Sequence, residues 1–71
     1  MLEIVNFNKR LYRYREEDEE TLLLYNLRNG NMYFLTGTSK ELLQKFENVL
    51  KMEVDGDNKI IQFFRLIHVL V

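Results

Sequence analysis

The sequence predicts a small α+β domain in which a three-stranded antiparallel sheet comes first and amphipathic helices follow. Three observations carry that expectation. Residues 11–36 contain three short runs rich in Leu, Tyr and Phe, the first of them strictly alternating. Asn29-Gly30 separates the second run from the third and is a strong short-range hairpin signal. Beyond Gly37 the apolar positions switch to helical spacing. Seventy-one residues make one domain, residues 1–71, with no room for a second core.

The first strand is expected at about 10–15, where Tyr12 and Tyr14 share one face and Arg13 and Arg15 the other. The second is expected at about 21–27 and the third at about 32–36. A two-residue type I′ turn at Asn29-Gly30 would set Leu27 opposite Met32, Tyr25 opposite Phe34 and Leu24 opposite Leu35. One face then holds Leu23, Tyr25, Leu27, Met32 and Phe34, and the other holds Leu22, Leu24, Tyr33 and Leu35. A small antiparallel sheet ordinarily wets one face, and here both are apolar. Leu2 to Phe7 reads either as a further strand or as a strap across the sheet. Glu16, Glu17, Asp18, Glu19 and Glu20 repel one another and read as an exposed turn, with an acidic docking patch for a basic partner as the alternative.

Gly37 ends the third strand, and Thr38 with Glu41 has the spacing of a capping box. The helix expected at about 39–52 gathers Leu42, Leu43, Phe46, Val49 and Leu50 on one side. Its other side carries Lys40, Glu41, Gln44, Lys45, Glu47 and Lys51, with Glu41–Lys45 and Glu47–Lys51 at helpful spacing. Val54 to Asn58 breaks the pattern, and Asp57 or Asn58 can cap a second helix at about 58–70. The apolar arc of that helix is roughly 220°, about twice what a surface helix needs. Ile60, Phe64 and Ile67 occupy its centre, Phe63, Leu66 and Leu70 one flank, and Ile61 and His68 the other. Either it is buried on two sides, or one flank lines a groove. The closing Val69-Leu70-Val71 adds further apolar surface to be covered.

Composition removes most chemistries. There is no cysteine, so disulfides and thiolate metal sites are excluded, and a cytoplasmic location is the expectation. No secretory signal pattern opens the chain, and the apolar stretch from Ile60 is interrupted and too short to span a bilayer, so no membrane association is expected. The one histidine, His68, and the one serine, Ser39, lack the companions of a nucleophilic triad, and Ser39 belongs to a helix start. Asp55-Gly56-Asp57-Asn58 lacks the ligand run and closing glutamate of a calcium loop. The chain is therefore expected to be a non-enzyme with no metal and no cofactor. Tyr12, Tyr14 and Tyr33 beside arginines are able in principle to stack bases, but a net charge of −1 and the adjoining acidic run oppose nucleic acid.

The run LLLYNLRNGNMYFLTGTSKELLQKF, residues 22–46, resembles the PqqD-like family, the recognition elements of pathways that modify ribosomally made peptides. The apolar IIQFFRLIHVLV is similar to the family's last helix; together these cover about half the chain. The family has three helices, whereas residues 47–57 leave little room for the middle one. The resemblance implies a winged helix-turn-helix-like arrangement of sheet and two or three helices. It also implies non-catalytic binding of the leader segment of a precursor peptide, added as a strand to the third strand and presented to a peptide-modifying enzyme. The implied peptide-binding residues are Met32, Tyr33, Phe34, Leu35 and Thr36 along the strand, with Phe63, Phe64 and Ile67 on the helix and Lys59 and Arg65 at the rim. Two other readings stand beside it: a small winged-helix nucleic-acid-binding regulator, and a homodimer that covers the extra apolar flank.

Overall fold

The computed structural model describes residues 1–46, 49 and 51–71. The elements run β1 (Leu2–Asn6), β2 (Tyr12–Glu16), β3 (Leu22–Asn26), β4 (Met32–Leu35), α1 (Gly37–Gln44), β5 (Lys51–Asp55) and α2 (Lys59–Leu66). The α+β class and the three-stranded antiparallel sheet, in the order β2-β3-β4, are as expected. The inner face of that sheet buries Tyr12, Leu22, Leu24 and Leu35 against Leu43, Phe46, Ile61 and Phe64. Its outer face turns Arg13, Arg15, Met32 and Phe34 to solvent. Leu23 also lies on the outer face yet is buried, flanked across the strands by Arg15 and Phe34.

The hairpin register differs from the expected one. Leu22 pairs with Leu35, Leu23 with Phe34, Leu24 with Tyr33 and Tyr25 with Met32. The loop is Leu27 to Gly30, and Asn26 builds it. Its side-chain oxygen accepts the amides of Arg28 (2.8 Å) and Asn29 (3.1 Å), while its carbonyl accepts that of Gly30 (3.0 Å). Gly30 has φ +77°, but Asn29 has not entered the left-handed region that a type I′ turn needs at both positions. The slip is two residues, which is the period of a strand, so every side chain keeps its expected face.

The helix expected at 39–52 is shorter. α1 stops at Gln44, and Lys51 and Met52 belong to β5 instead. Within Lys51–Asp55 half-buried Met52 and Val54 alternate with exposed Lys51, Glu53 and Asp55, a strand period that the helical spacing of the preceding residues concealed. Val49 is exposed, not on a packed helix face. Glu47 and Leu50, placed on that helix by the sequence, lie outside the described residues. The capping box does not form. Thr36 is the N-cap and makes no side-chain cap bond, while the Ser39 hydroxyl donates to the Thr36 carbonyl at 2.8 Å. Gly37, at φ +56°, makes the corner between β4 and α1.

β5 settles the role of the first residues. β1 is a strand, paired antiparallel with β5 from Leu2↔Asp55 to Asn6↔Lys51, in a second sheet that the sequence did not announce. Among the described residues a strand therefore separates the two helices, and no third helix occurs.

α2 begins as expected, with the Asn58 side chain accepting the amides of Ile60 (2.8 Å) and Ile61 (3.3 Å). It ends earlier than 70. His68 sits at φ +65°, its amide reaching back to the Arg65 carbonyl (3.1 Å) and that of Val69 to Phe64 (2.8 Å). Val69 to Val71 then run extended beside β1, with Asn8 donating to Val69 and Asn6 and Val71 exchanging both backbone bonds. Val69 and Leu70 are fully buried. The wide arc read from the sequence counted these tail residues as helical. The turn has no glycine or proline to announce it.

Around Asp18 the acidic run is an exposed turn. The Asp18 carboxylate accepts the amides of Glu20 and Thr21, both at 2.8 Å, and these bonds, that from Glu20 first, hold its pKa below the ordinary value of 3.8. A lowered carboxylate pKa stabilises the fold above its unfolded value, and the contribution is lost as pH falls through the folded one. In an NMR pH titration the Asp18 carboxyl and the Glu20 and Thr21 amides should share one midpoint below 3.8. A midpoint at or above it would contradict the turn. Separately, His68→Gly should raise stability in urea unfolding by about 0.5–1 kcal/mol, because glycine takes the left-handed conformation without the steric penalty of a Cβ.

Candidate functional site

β4 is an edge strand: it pairs with β3 on one side, and among the described residues no strand pairs with the other. Because Asn26 and Asn31 form a hydrogen-bonded pair, alternation points the backbone groups of Tyr33 and Leu35 toward β3 and those of Met32 and Phe34 outward. The open edge is thus short, centred on two residues. α2 runs beside it. The Tyr33 and Phe63 rings meet edge to face, with centroids 6.2 Å apart at 79°, and Phe63 in turn leans on Phe64 at 6.1 Å. A concavity at the loop end of β4 is lined by Tyr33 and Ile67 together.

The residues proposed from the sequence divide by position. Tyr33, Phe63 and Ile67 come together between the strand edge and the helix, half-buried or, for Phe63, 43% exposed. Met32 and Phe34 supply the open backbone groups, but the two residues are 62% and 67% exposed, on the outer face of the sheet. Thr36 is exposed at the end of β4, with its carbonyl engaged by Ser39. Leu35 and Phe64 are core residues. Arg65 is turned toward β1, where it holds Glu3 at 2.6 Å, away from β4. Lys59 is exposed at the start of α2.

The structure adds residues that sequence reasoning did not select. Asn26, buried and polar, fixes the loop at one end of the groove; its signal was an asparagine four residues before Gly30. Tyr12 fixes the end of α2, its hydroxyl donating to the Ile67 carbonyl at 2.7 Å, and Asn8 donates to the carbonyl of His68 at 2.9 Å. Neither contact has a local signature, because each joins residues far apart in the chain. Among the described residues there is no group of three or more His, Cys, Asp or Glu able to hold a metal ion. No helix among them is long and apolar enough to cross a membrane.

Comparison with protein-family models, with curated proteins and with solved structures finds no match to this chain.

The division between groove and core is measurable. Phe63→Ala should cost about 1 kcal/mol or less, whereas Phe64→Ala should cost about 3–5 kcal/mol, as expected for an aromatic ring removed from a packed core. Equal losses in chemical denaturation would place Phe63 in the core as well.

Proposed function

We propose that this chain is a non-catalytic peptide-binding domain that takes the leader segment of a ribosomally synthesised precursor as an added strand on β4 and presents it to a peptide-modifying enzyme. The observation that supports it most is the open edge of β4 lying directly beside the apolar flank of α2, with Tyr33 and Phe63 in contact across the junction. Backbone bonds at Met32 and Phe34 hold the incoming strand, and Tyr33, Phe63 and Ile67 receive its apolar side chains. A winged-helix-like arrangement belongs to this reading through the pairing of sheet edge and last helix; β5, standing between the helices, is a difference from the resembling family. The nucleic-acid reading has less support, since Tyr12 and Tyr14 pack inward while Arg13 and Arg15 face the other side.

Titration of ¹⁵N-labelled protein with the leader peptide of a neighbouring precursor gene tests the proposal. The Met32 and Phe34 amides should shift most, and Phe63→Ala should weaken binding about tenfold, the effect of losing one aromatic anchor. Leader binding with an unperturbed β4 edge would sink strand addition.

A further inference from the structure

We propose that the groove continues beyond the end of α2 into a cationic cleft, formed by Arg10 and Arg28 with His68 at its margin, which binds the carboxylates of an acidic segment in the peptide. This rests on the reading of β4 and α2 as a peptide groove, and it names the chemistry of the peptide.

The cleft lies where the pairing of β2 with β3 ends. The Leu27 amide donates to the Leu11 carbonyl at 2.7 Å, which carries the β2–β3 pairing one step past Tyr12↔Asn26. Beyond it both chains are in turns, with the Leu11 and Tyr12 amides donating to the Asn8 carbonyl and those of Arg28 and Asn29 to the Asn26 side chain, and Arg10 and Arg28 stand on these two turns. Two like charges at one concavity repel each other, and an anion between them relieves the repulsion. Among the described residues neither arginine has an ion-pair partner. Both line one concavity with Asn8, Leu11 and Leu27. Arg28 and Leu11 also line the adjoining concavity, which reaches Tyr33, Ile67 and His68. An apolar track along β4 thus opens onto a basic one, and no aspartate or glutamate lines either part.

The carbonyls of Ile67 and His68, at the margin of the cleft, accept from Tyr12 and Asn8. The chain's own acidic run lies at the opposite end of the β2–β3 hairpin, around Asp18. A net charge of −1 therefore conceals a molecule basic at one end and acidic at the other. Guanidinium groups bind carboxylates through paired, planar hydrogen bonds, and two side by side suit two neighbouring acids. Continuity with an apolar strand edge favours a peptide over a phosphate backbone.

The probes are acetyl-Glu-Glu-Val-Thr-Val-Glu-Glu amide and its counterpart with every Glu replaced by Gln, which serve either strand direction. Followed by ¹⁵N NMR at low salt, the acidic peptide should bind roughly fivefold more tightly than the neutral one, as expected for two exposed ion pairs. In the double variant R10Q/R28Q the preference should vanish; both side chains are exposed, so folding should be retained, as thermal unfolding would verify. Equal binding of the two peptides to the unaltered protein, or a preference that survives in the double variant, would overturn the cleft. So would tighter binding of a hexathymidylate oligonucleotide, or failure of both peptides to bind. Met32 and Phe34 amides that titrate with equal affinity for both peptides would leave strand addition standing while the cleft falls. A glutamate preference with a silent β4 edge would do the reverse.

Discussion

Where α2 stops, a single residue in the left-handed conformation, His68, reverses the chain, and the two halves of the molecule meet at that reversal. The Tyr12 hydroxyl reaches the Ile67 carbonyl from the three-stranded sheet, and Asn8 reaches the carbonyl of His68 from the turn after β1. Val69 and Leu70, sent onward by the turn, fill the core between β1 and the helix that precedes them. The reversal adds to the packing of Ile61 and Phe64 against the sheet in holding α2 beside β4. Contacts at the end of the helix thus help the buried Phe64 to hold Phe63 against Tyr33.

The fold was legible where signals are local. Alternation gave the faces of β2, β3 and β4, and the Asn58 cap marked the start of α2. The faces survived a wrong register because a strand repeats every two residues, so a two-residue error in loop length is invisible to face assignment. What escaped was non-local. β5 pairs with β1 across more than half of the chain, and its five residues sit after a helical pattern that runs smoothly into them. The end of α2 escaped because histidine, not glycine, adopts the left-handed turn, and an apolar tail then looks like more helix.

The candidate site was legible in its strand and only partly in its helix. The strand expected at 32–36 is the edge strand β4, Met32–Leu35, and alternation leaves Met32 and Phe34 as its open backbone positions. On α2 the buried face is turned from the one expected: Ile61 and Phe64 are fully buried, Ile60 and Ile67 only partly, and Phe63 and Leu66 are left outside. Arg65 looked free from spacing alone, whereas Glu3 of β1, a strand the sequence left undecided, claims it.

The pairing of Asn6 with Val71 closes a span of 65 residues, while β3 and β4 are joined by a short loop. Closure entropy grows by about 0.6 kcal/mol for each doubling of loop length, so the long closure starts about 2–3 kcal/mol behind the hairpin. The order of assembly follows: the β2-β3-β4 meander can form on local contacts, and the strap of β1 with Val69 to Val71 locks late. Until it locks, α2 is not anchored and the β4 edge stands bare, with apolar residues on both faces of its sheet. Its shortness then has a use unrelated to any ligand, because an edge open at two residues is a poor template for another chain during those moments.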